Sequence, residues 1–228
     1  MSTRTSRPIP IGLTMLIAVF SALVALAFSG GHDAAAHNDT GHAAPAAITP
    51  QELVLRQDMR KLWEDHITWT RLAIISLTTD SPDTQATVGR LLRNQADIGN
   101  AIKPFYGRSA GTKLTALLRE HILIAADLIA AARKGDSEAV ATEQARWQTN
   151  AERIAGFLSS ANPGSWKLPE MKAMMRSHLR LTTNEVVARL TSNWPADVRA
   201  YDRIHVQILR MADMLSDGIV HQFPGRFA

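Results

Sequence analysis

Apolar side chains recur every three or four residues along most of this chain, which is the spacing of one face of an α-helix. The stripe is clearest in residues 51–78, where it runs through Leu55, Met59, Leu62 and Trp69. No stretch alternates apolar and polar residues with comparable regularity, as a half-buried β-strand would. The pattern therefore predicts an all-α domain over residues 51–228.

Helix-breaking residues divide this domain into six predicted helices. Thr49 and Pro50 supply an N-cap and a first-turn proline, and Asn162-Pro163-Gly164 is typical of a loop. The predicted helices cover residues 51–78, 82–103, 111–133, 137–160, 169–191 and 195–221. Because the connections are short, we expect an up-and-down bundle of antiparallel neighbours.

Polar residues also recur at a regular spacing in the predicted helices. The first helix of each pair carries a histidine, and these are His66, His121 and His178. The second helix of each pair carries a polar residue 27 to 29 positions later, namely Asn94, Asn150 and His205. The histidines are 55 and 57 residues apart, so the pattern indicates three repeated αα-hairpins.

The first 28 residues read as a targeting segment. Arg4 and Arg7 precede an almost wholly apolar run from Ile11 to Phe28, and Ala25-Leu26-Ala27 fits a signal-peptidase site. The segment predicts an exported protein that is periplasmic, cell-surface or secreted. If it is not cleaved, residues 9–28 are long enough to anchor the chain in a membrane.

Residues 29–50 have no apolar periodicity and are rich in Gly, Ala, Asp and Asn, which predicts a flexible tether. His32, His37 and His42 recur at every fifth position of this tether. They are either a loose metal-scavenging tract or ordinary members of a polar linker, and composition favours the linker.

Charge and cysteine content narrow the function classes. The chain has no cysteine, which excludes thiolate metal sites and disulfides. Its net charge is +4, and without Arg4 and Arg7 it is about +2 (4 minus 2). No Lys/Arg stripe with interleaved aromatic residues occurs, so we expect no nucleic-acid partner.

The candidate chemistry lies in four histidines. His66, His121, His178 and His205 each fall on an apolar stripe, and helix lengths put all four at one depth. Neutral imidazole is a common ligand of Zn, Cu, Ni and Fe, so the sequence predicts a transition-metal site. Two carboxylates are placed to orient or complete the ligand set, and these are Asp202 and Glu185.

Two other hypotheses fit the same residues. The polar layer can be structural, with His–Asn hydrogen bonds fixing helix register, or it can serve a small hydrolase or transferase. No nucleophile elbow, P-loop or dinucleotide-binding motif occurs, so no catalytic or organic-cofactor residue is assigned and an enzyme is the less favoured hypothesis. Met171, Met174 and Met175 form a cluster that suits either Cu(I) or core packing.

Four strings carry a resemblance to a known group of proteins. They are WEDHITWTR (63–71), NQADIGNAIKPFYG (94–107), HILIAADLIAAA (121–132) and YDRIHVQILRMAD (201–213). They resemble an uncharacterised bacterial family of exported all-helical proteins, and the resemblance spans the whole domain. It implies an exported, undivided helical domain and transfers no activity or site residue.

Overall fold

The computed structural model describes residues 48–228, and this part of the chain is built from five α-helices and no β-strand. The helices are α1 (Pro50–Thr79), α2 (Thr84–Lys134), α3 (Ser137–Ala161), α4 (Leu168–Leu190) and α5 (Trp194–Gln222), followed by a 3-10 turn at Pro224–Arg226. The predicted all-α fold is confirmed. The interpretations placed on residues 1–47, the targeting segment and most of the tether, lie outside the described residues.

The helix ends follow from local sequence. Thr49 accepts a hydrogen bond from the Glu52 backbone N–H at the start of α1, and Asp136 and Asn193 cap α3 and α5 in the same way. Gly135 ends α2 in the left-handed conformation, which glycine adopts without steric cost. These caps satisfy backbone groups that the helices themselves leave free.

The long helix α2 differs from the sequence prediction. We expected separate helices over 82–103 and 111–133, but the intervening residues are helical except at Gly107, whose φ is 84° and ψ is 168°. A Cβ built on Gly99 would lie 2.6 Å from the Gly111 carbonyl oxygen, so the two halves fold back on each other across this residue. Six separate helices are therefore not confirmed.

Each helix packs against its neighbour in sequence, and α5 returns to pack against α1. The bundle therefore closes on itself around a central core. The two halves of α2 are also joined away from the turn at Gly107, where Arg119 donates a hydrogen bond to the Leu92 carbonyl. The prediction of three repeated hairpins is likewise not confirmed by this arrangement of five helices.

An aromatic cluster closes one end of the core. Phe105 packs against Phe223 and Phe227, and Tyr106 packs against Trp166 and Phe223. Trp166 and Phe227 are buried. We call these five residues the aromatic cap.

None of the helices between residues 48 and 228 is both long and apolar enough to cross a membrane.

Candidate metal centre

Three of the four predicted histidines meet inside the bundle. His66 on α1, His121 on the second half of α2 and His178 on α4 are 2%, 4% and 4% exposed. The centre of the His178 ring lies 6.0 Å from that of His66 and 6.1 Å from that of His121. We call these three residues the imidazole layer.

A side-chain amide holds the Nδ1 atom of each imidazole. The amide always lies 29 residues after its histidine. The pairs are His66–Gln95 at 3.2 Å, His121–Asn150 at 2.9 Å and His178–Gln207 at 3.1 Å. Because each ring is fixed from one nitrogen, its orientation is set before any ligand arrives.

The amides also define the tautomers of two rings. Asn150 donates from Nδ2 to the Leu117 carbonyl, so its Oδ1 faces His121 and accepts the Nδ1 proton. Gln207 likewise presents Oε1 to His178. Since a neutral imidazole carries one proton, the Nε2 atom of both rings keeps a free lone pair.

The His66 ring is held differently. Gln95 donates from Nε2 to the Leu91 carbonyl and to Asn94, and the same nitrogen lies against Nδ1 of His66. The amide nitrogen has two hydrogens for these three neighbours, so the 3.2 Å contact with His66, the longest of the three, is the weakest. The Oε1 atom of Gln95 is buried and has no hydrogen-bond partner within residues 48–228.

Burial keeps these imidazoles neutral. The pKa of His66 falls to about 3, mainly because burial disfavours the charged form and secondarily because His178 and His121 lie close by. The pKa of His121 also falls to about 3, through burial and then His178. Burial lowers the pKa of His178 as well. All three rings are therefore in the neutral state that metal coordination requires.

The three rings line one cavity of about 30 Å³. Its wall is otherwise apolar and includes thioethers and indoles, among them Met59, Met175, Met211, Trp63 and Trp166. The volume equals that of a water or two, since a single water needs roughly 10–15 Å³, but the wall is almost wholly apolar and offers few polar partners. It is far smaller than the roughly 300 Å³ of an organic-substrate pocket, so the layer does not offer room for an enzyme substrate.

His205 and Asp202, both predicted as ligands, do not join the layer. The Nε2 atom of His205 lies 2.6 Å from Glu64 Oε1 in a partly exposed pair, and Asp202 is exposed. The buried stripe of α5 runs through Ile204 and Ile208, which turns His205 to the side. The sequence prediction drew this stripe one position away, through Tyr201 and His205.

Glu185, the other predicted carboxylate, is buried but already paired. Its Oε1 atom accepts from Arg71 at 2.7 Å, and Arg71 and Arg189 both donate to Asp197. Burial raises the pKa of Glu185 to about 7, against the opposing effect of Arg71. We call Arg71, Glu185, Arg189 and Asp197 the ion-pair network.

The sequence prediction missed Gln95 and Gln207 as partners of the layer. The signal that could have found Gln207 is the constant spacing of 29 residues, which His121 and Asn150 already display. The sequence prediction selected His205 instead, at a spacing of 27 residues.

The distances between the imidazole rings also bear on whether these rings can share one metal ion. Within residues 48–228, no three histidine, aspartate or glutamate side chains already stand at metal-binding distances from one another. With bonds of about 2 Å from metal to nitrogen, imidazole centres around a tetrahedral ion lie roughly 5 Å apart, against 6.0 and 6.1 Å here. The rings therefore have to close by about 1 Å to share such an ion.

Comparison with known proteins adds no assignment. No protein-family model, curated protein or solved structure matches this chain. The resemblance to a family of exported helical proteins stays a prediction.

Proposed function

We propose that this chain is an exported metal-binding protein that holds one transition-metal ion through His66, His121 and His178. The observation that carries the proposal is the imidazole layer itself. Three buried, neutral rings line one small cavity, and an amide fixes each ring at Nδ1.

The amides supply the kind of hydrogen bond that orients histidine ligands in metal sites. Metal-bound histidines almost always use their second nitrogen in a hydrogen bond, which fixes the ring and raises its basicity as a ligand. His121 and His178 have this arrangement, with Nδ1–H donated to an amide oxygen and Nε2 free. Because burial lowers the pKa of each histidine, protons compete little with the ion at neutral pH.

The proposed ligand set is narrower than the sequence predicted. His205 and Asp202 are excluded because they lie outside the layer, and Glu185 is excluded because it is paired with Arg71 and does not line the cavity. The remaining ligands come from three helices that lie around the closed bundle. Binding would therefore tie α1, α2 and α4 together.

Export is part of the proposal and rests on residues 1–28. The positive start, the apolar run and the small-x-small site favour a secretory signal, or an anchor at residues 9–28 if cleavage fails. An ion-binding domain would then work in the periplasm, at the cell surface or in the medium.

Equilibrium dialysis against Zn(II), Cu, Ni(II) and Fe(II) tests the proposal. The protein should carry no affinity tag and should have His32, His37 and His42 replaced by alanine, so that the tether contributes no imidazole. We expect one tightly bound ion per chain, lost in His121→Asn and retained in the control His205→Asn. Binding that survives in His121→Asn, or no binding of any of these ions, contradicts the proposal.

A structural polar layer is the second candidate, and one observation favours it. Each imidazole already has an amide partner, and no three potential ligands of residues 48–228 stand at coordinating distances. On this hypothesis the layer fixes helix register, so replacing His121 lowers stability while dialysis finds no ion in any variant.

A further inference from the structure

We propose that one end of the bundle docks on an anionic phospholipid surface, an inference that goes beyond the metal site and does not depend on it. We call it the cap end, because it contains the aromatic cap. It comprises residues 48–56, 100–113, 160–172 and 217–228. Its charge, its exposed aliphatic side chains and the place where the chain enters the domain carry the proposal.

Three contacts bring the four segments of the cap end together. Arg56 near the start of α1 pairs with Asp217 on α5. Arg226 donates a hydrogen bond to the Pro104 carbonyl beside the turn in α2. Gln222 donates to a backbone carbonyl at the end of α3. The start of α1, the turn in α2, the loop between α3 and α4 and the residues after α5 therefore share one end of the bundle.

The two ends of the bundle differ in the sign of their charge. The cap end has seven lysine or arginine residues and three aspartate or glutamate residues. The opposite end, which comprises residues 76–87, 131–141 and 187–198, has three basic residues and five acidic ones. Anionic headgroups attract lysine and arginine that lie close to the membrane surface. A membrane therefore attracts the cap end and repels the opposite end.

Most basic residues of the cap end are available to headgroups. Glu52 and Asp217 both pair with Arg56, and Lys172 pairs with a glutamate of α3. Within residues 48–228 no carboxylate forms an ion pair with the other five basic residues of this end. They are Lys103, Arg108, Lys113, Lys167 and Arg226, of which all but Lys103 are exposed.

Exposed aliphatic side chains accompany these charges. Ile48, Leu53 and Val54 at the start of α1 are 56%, 47% and 56% exposed. Segments that combine aliphatic and basic side chains bind anionic bilayers, because the aliphatic groups enter the headgroup region while the charges stay at the phosphates. Trp194 is exposed at the opposite end as well, so charge is what distinguishes the two ends.

The tether enters the domain at the cap end. About 20 residues separate the end of the predicted anchor, Phe28, from Ile48. A flexible chain of that length spans roughly 25 Å on average, whereas the 30 residues of α1 extend about 45 Å. An uncleaved anchor at residues 9–28 therefore holds the cap end, and not the opposite end, within reach of the headgroups.

Contact quenching of a fluorophore by lipid shows which end docks. The chain has no cysteine, so Ser109→Cys at the cap end and Ser137→Cys at the opposite end each create a single labelling site at an exposed position. The labelled full-length proteins are mixed with vesicles that carry a headgroup quencher, made of phosphatidylcholine alone or of equal parts phosphatidylcholine and phosphatidylglycerol. We expect strong quenching at position 109 only with phosphatidylglycerol, and little at position 137 with either lipid.

Two matched comparisons test the charges and the aliphatic groups separately. Glutamine at the five unpaired basic positions should lower the ratio of docked to undocked domains more than about a hundredfold, since each charge contributes roughly fivefold. Val54→Gln should lower it about tenfold, whereas Val206→Gln, at a 49% exposed position on the side of α5, should not. The control for charge replaces five exposed arginines along the sides of the bundle and should cost less than about tenfold. They are Arg93, Arg176, Arg180, Arg199 and Arg203.

Three results overturn the proposal. They are equal quenching at positions 109 and 137, quenching at position 109 that does not depend on phosphatidylglycerol, and no quenching at position 109. A signal at position 109 that rises with protein concentration and needs no lipid also overturns it, and assigns the cap end to contact with a second copy of the chain. The metal site is tested separately by dialysis and is unaffected by these outcomes.

Discussion

The bundle buries two polar clusters, the ion-pair network and the imidazole layer, and each accommodates its buried polar groups in a different way. The ion-pair network joins two arginines to two carboxylates, so its charges balance one another. The imidazole layer carries no charge, and its amides engage only one nitrogen of each ring. Within the described residues the network leaves Oε2 of Glu185 and Nε of Arg189 buried without a hydrogen-bond partner, whereas the rings of the layer line a shared cavity. Buried polarity and unpaired polar atoms alone therefore do not mark a ligand site.

The largest effect should come from breaking the network. Arg71→Met leaves Glu185 and Asp197 buried without their shared partner, and removing one side of a buried ion pair costs about 3–5 kcal/mol. Urea unfolding at pH 7 measures this loss of unfolding free energy. Arg60→Met, which removes an exposed pair with Asp213, should cost less than about 1 kcal/mol. Equal costs would show that the network is not buried as described.

The two clusters should respond to pH with opposite signs. The folded pKa of His66 and His121, about 3, lies below the unfolded value of 6.5, so the unfolded chain binds more protons and stability falls as pH drops below 6.5. The folded pKa of Glu185, about 7, lies above 4.5, so its contribution falls as pH rises from 4.5 through 7.

Unfolding free energies between pH 7 and pH 5 separate these contributions. Each of the two histidines should remove about 2 kcal/mol at pH 5. His121→Asn should flatten the acid slope, whereas Glu185→Gln should steepen it by deleting the opposing group. A slope that both variants change in the same direction contradicts the protonation states assigned to the clusters.

The amides of the layer should show a smaller effect on folding and a clear one on binding. Asn150→Leu leaves the Nδ1–H of His121 and the Leu117 carbonyl unpaired, at a cost of about 1–3 kcal/mol. Metal affinity should fall about 10- to 100-fold, as for other groups that orient a histidine ligand. Loss of stability with unchanged affinity would assign Asn150 to packing alone.

The smallest effect should come from the histidine that the layer excludes. His205→Asn removes a partly exposed pair with Glu64 and should change the free energy of unfolding by less than about 1 kcal/mol. Thermal unfolding of the metal-loaded and metal-free protein checks it. The stabilisation that metal confers should be the same in this variant as in the natural sequence.

The sequence predicted the histidines of the imidazole layer but not the pairing within the ion-pair network. The helical period and the breakers predicted an all-α bundle, and the 55- and 57-residue spacings picked out His66, His121 and His178. The turn at Gly107 was predicted as a loop, because proline and glycine mark a break without showing how few residues it needs.

The remaining errors have physical causes. On α5, stripes through Tyr201 and His205 or through Ile204 and Ile208 are both apolar enough to look buried, and only packing against α1 and α4 decides between them. The network joins positions 71, 185, 189 and 197, which a single sequence cannot bring together. Glu185 therefore looked like a ligand when Arg71 already holds it.

X-ray absorption at the edge of the metal that dialysis loads tests the proposed imidazole site most directly, because it counts the imidazoles around the ion. We predict two or three imidazole nitrogen neighbours at about 2 Å, with outer-shell scattering from imidazole rings that falls in His121→Asn. A spectrum without imidazole scattering, or one that His121→Asn leaves unchanged, would contradict it.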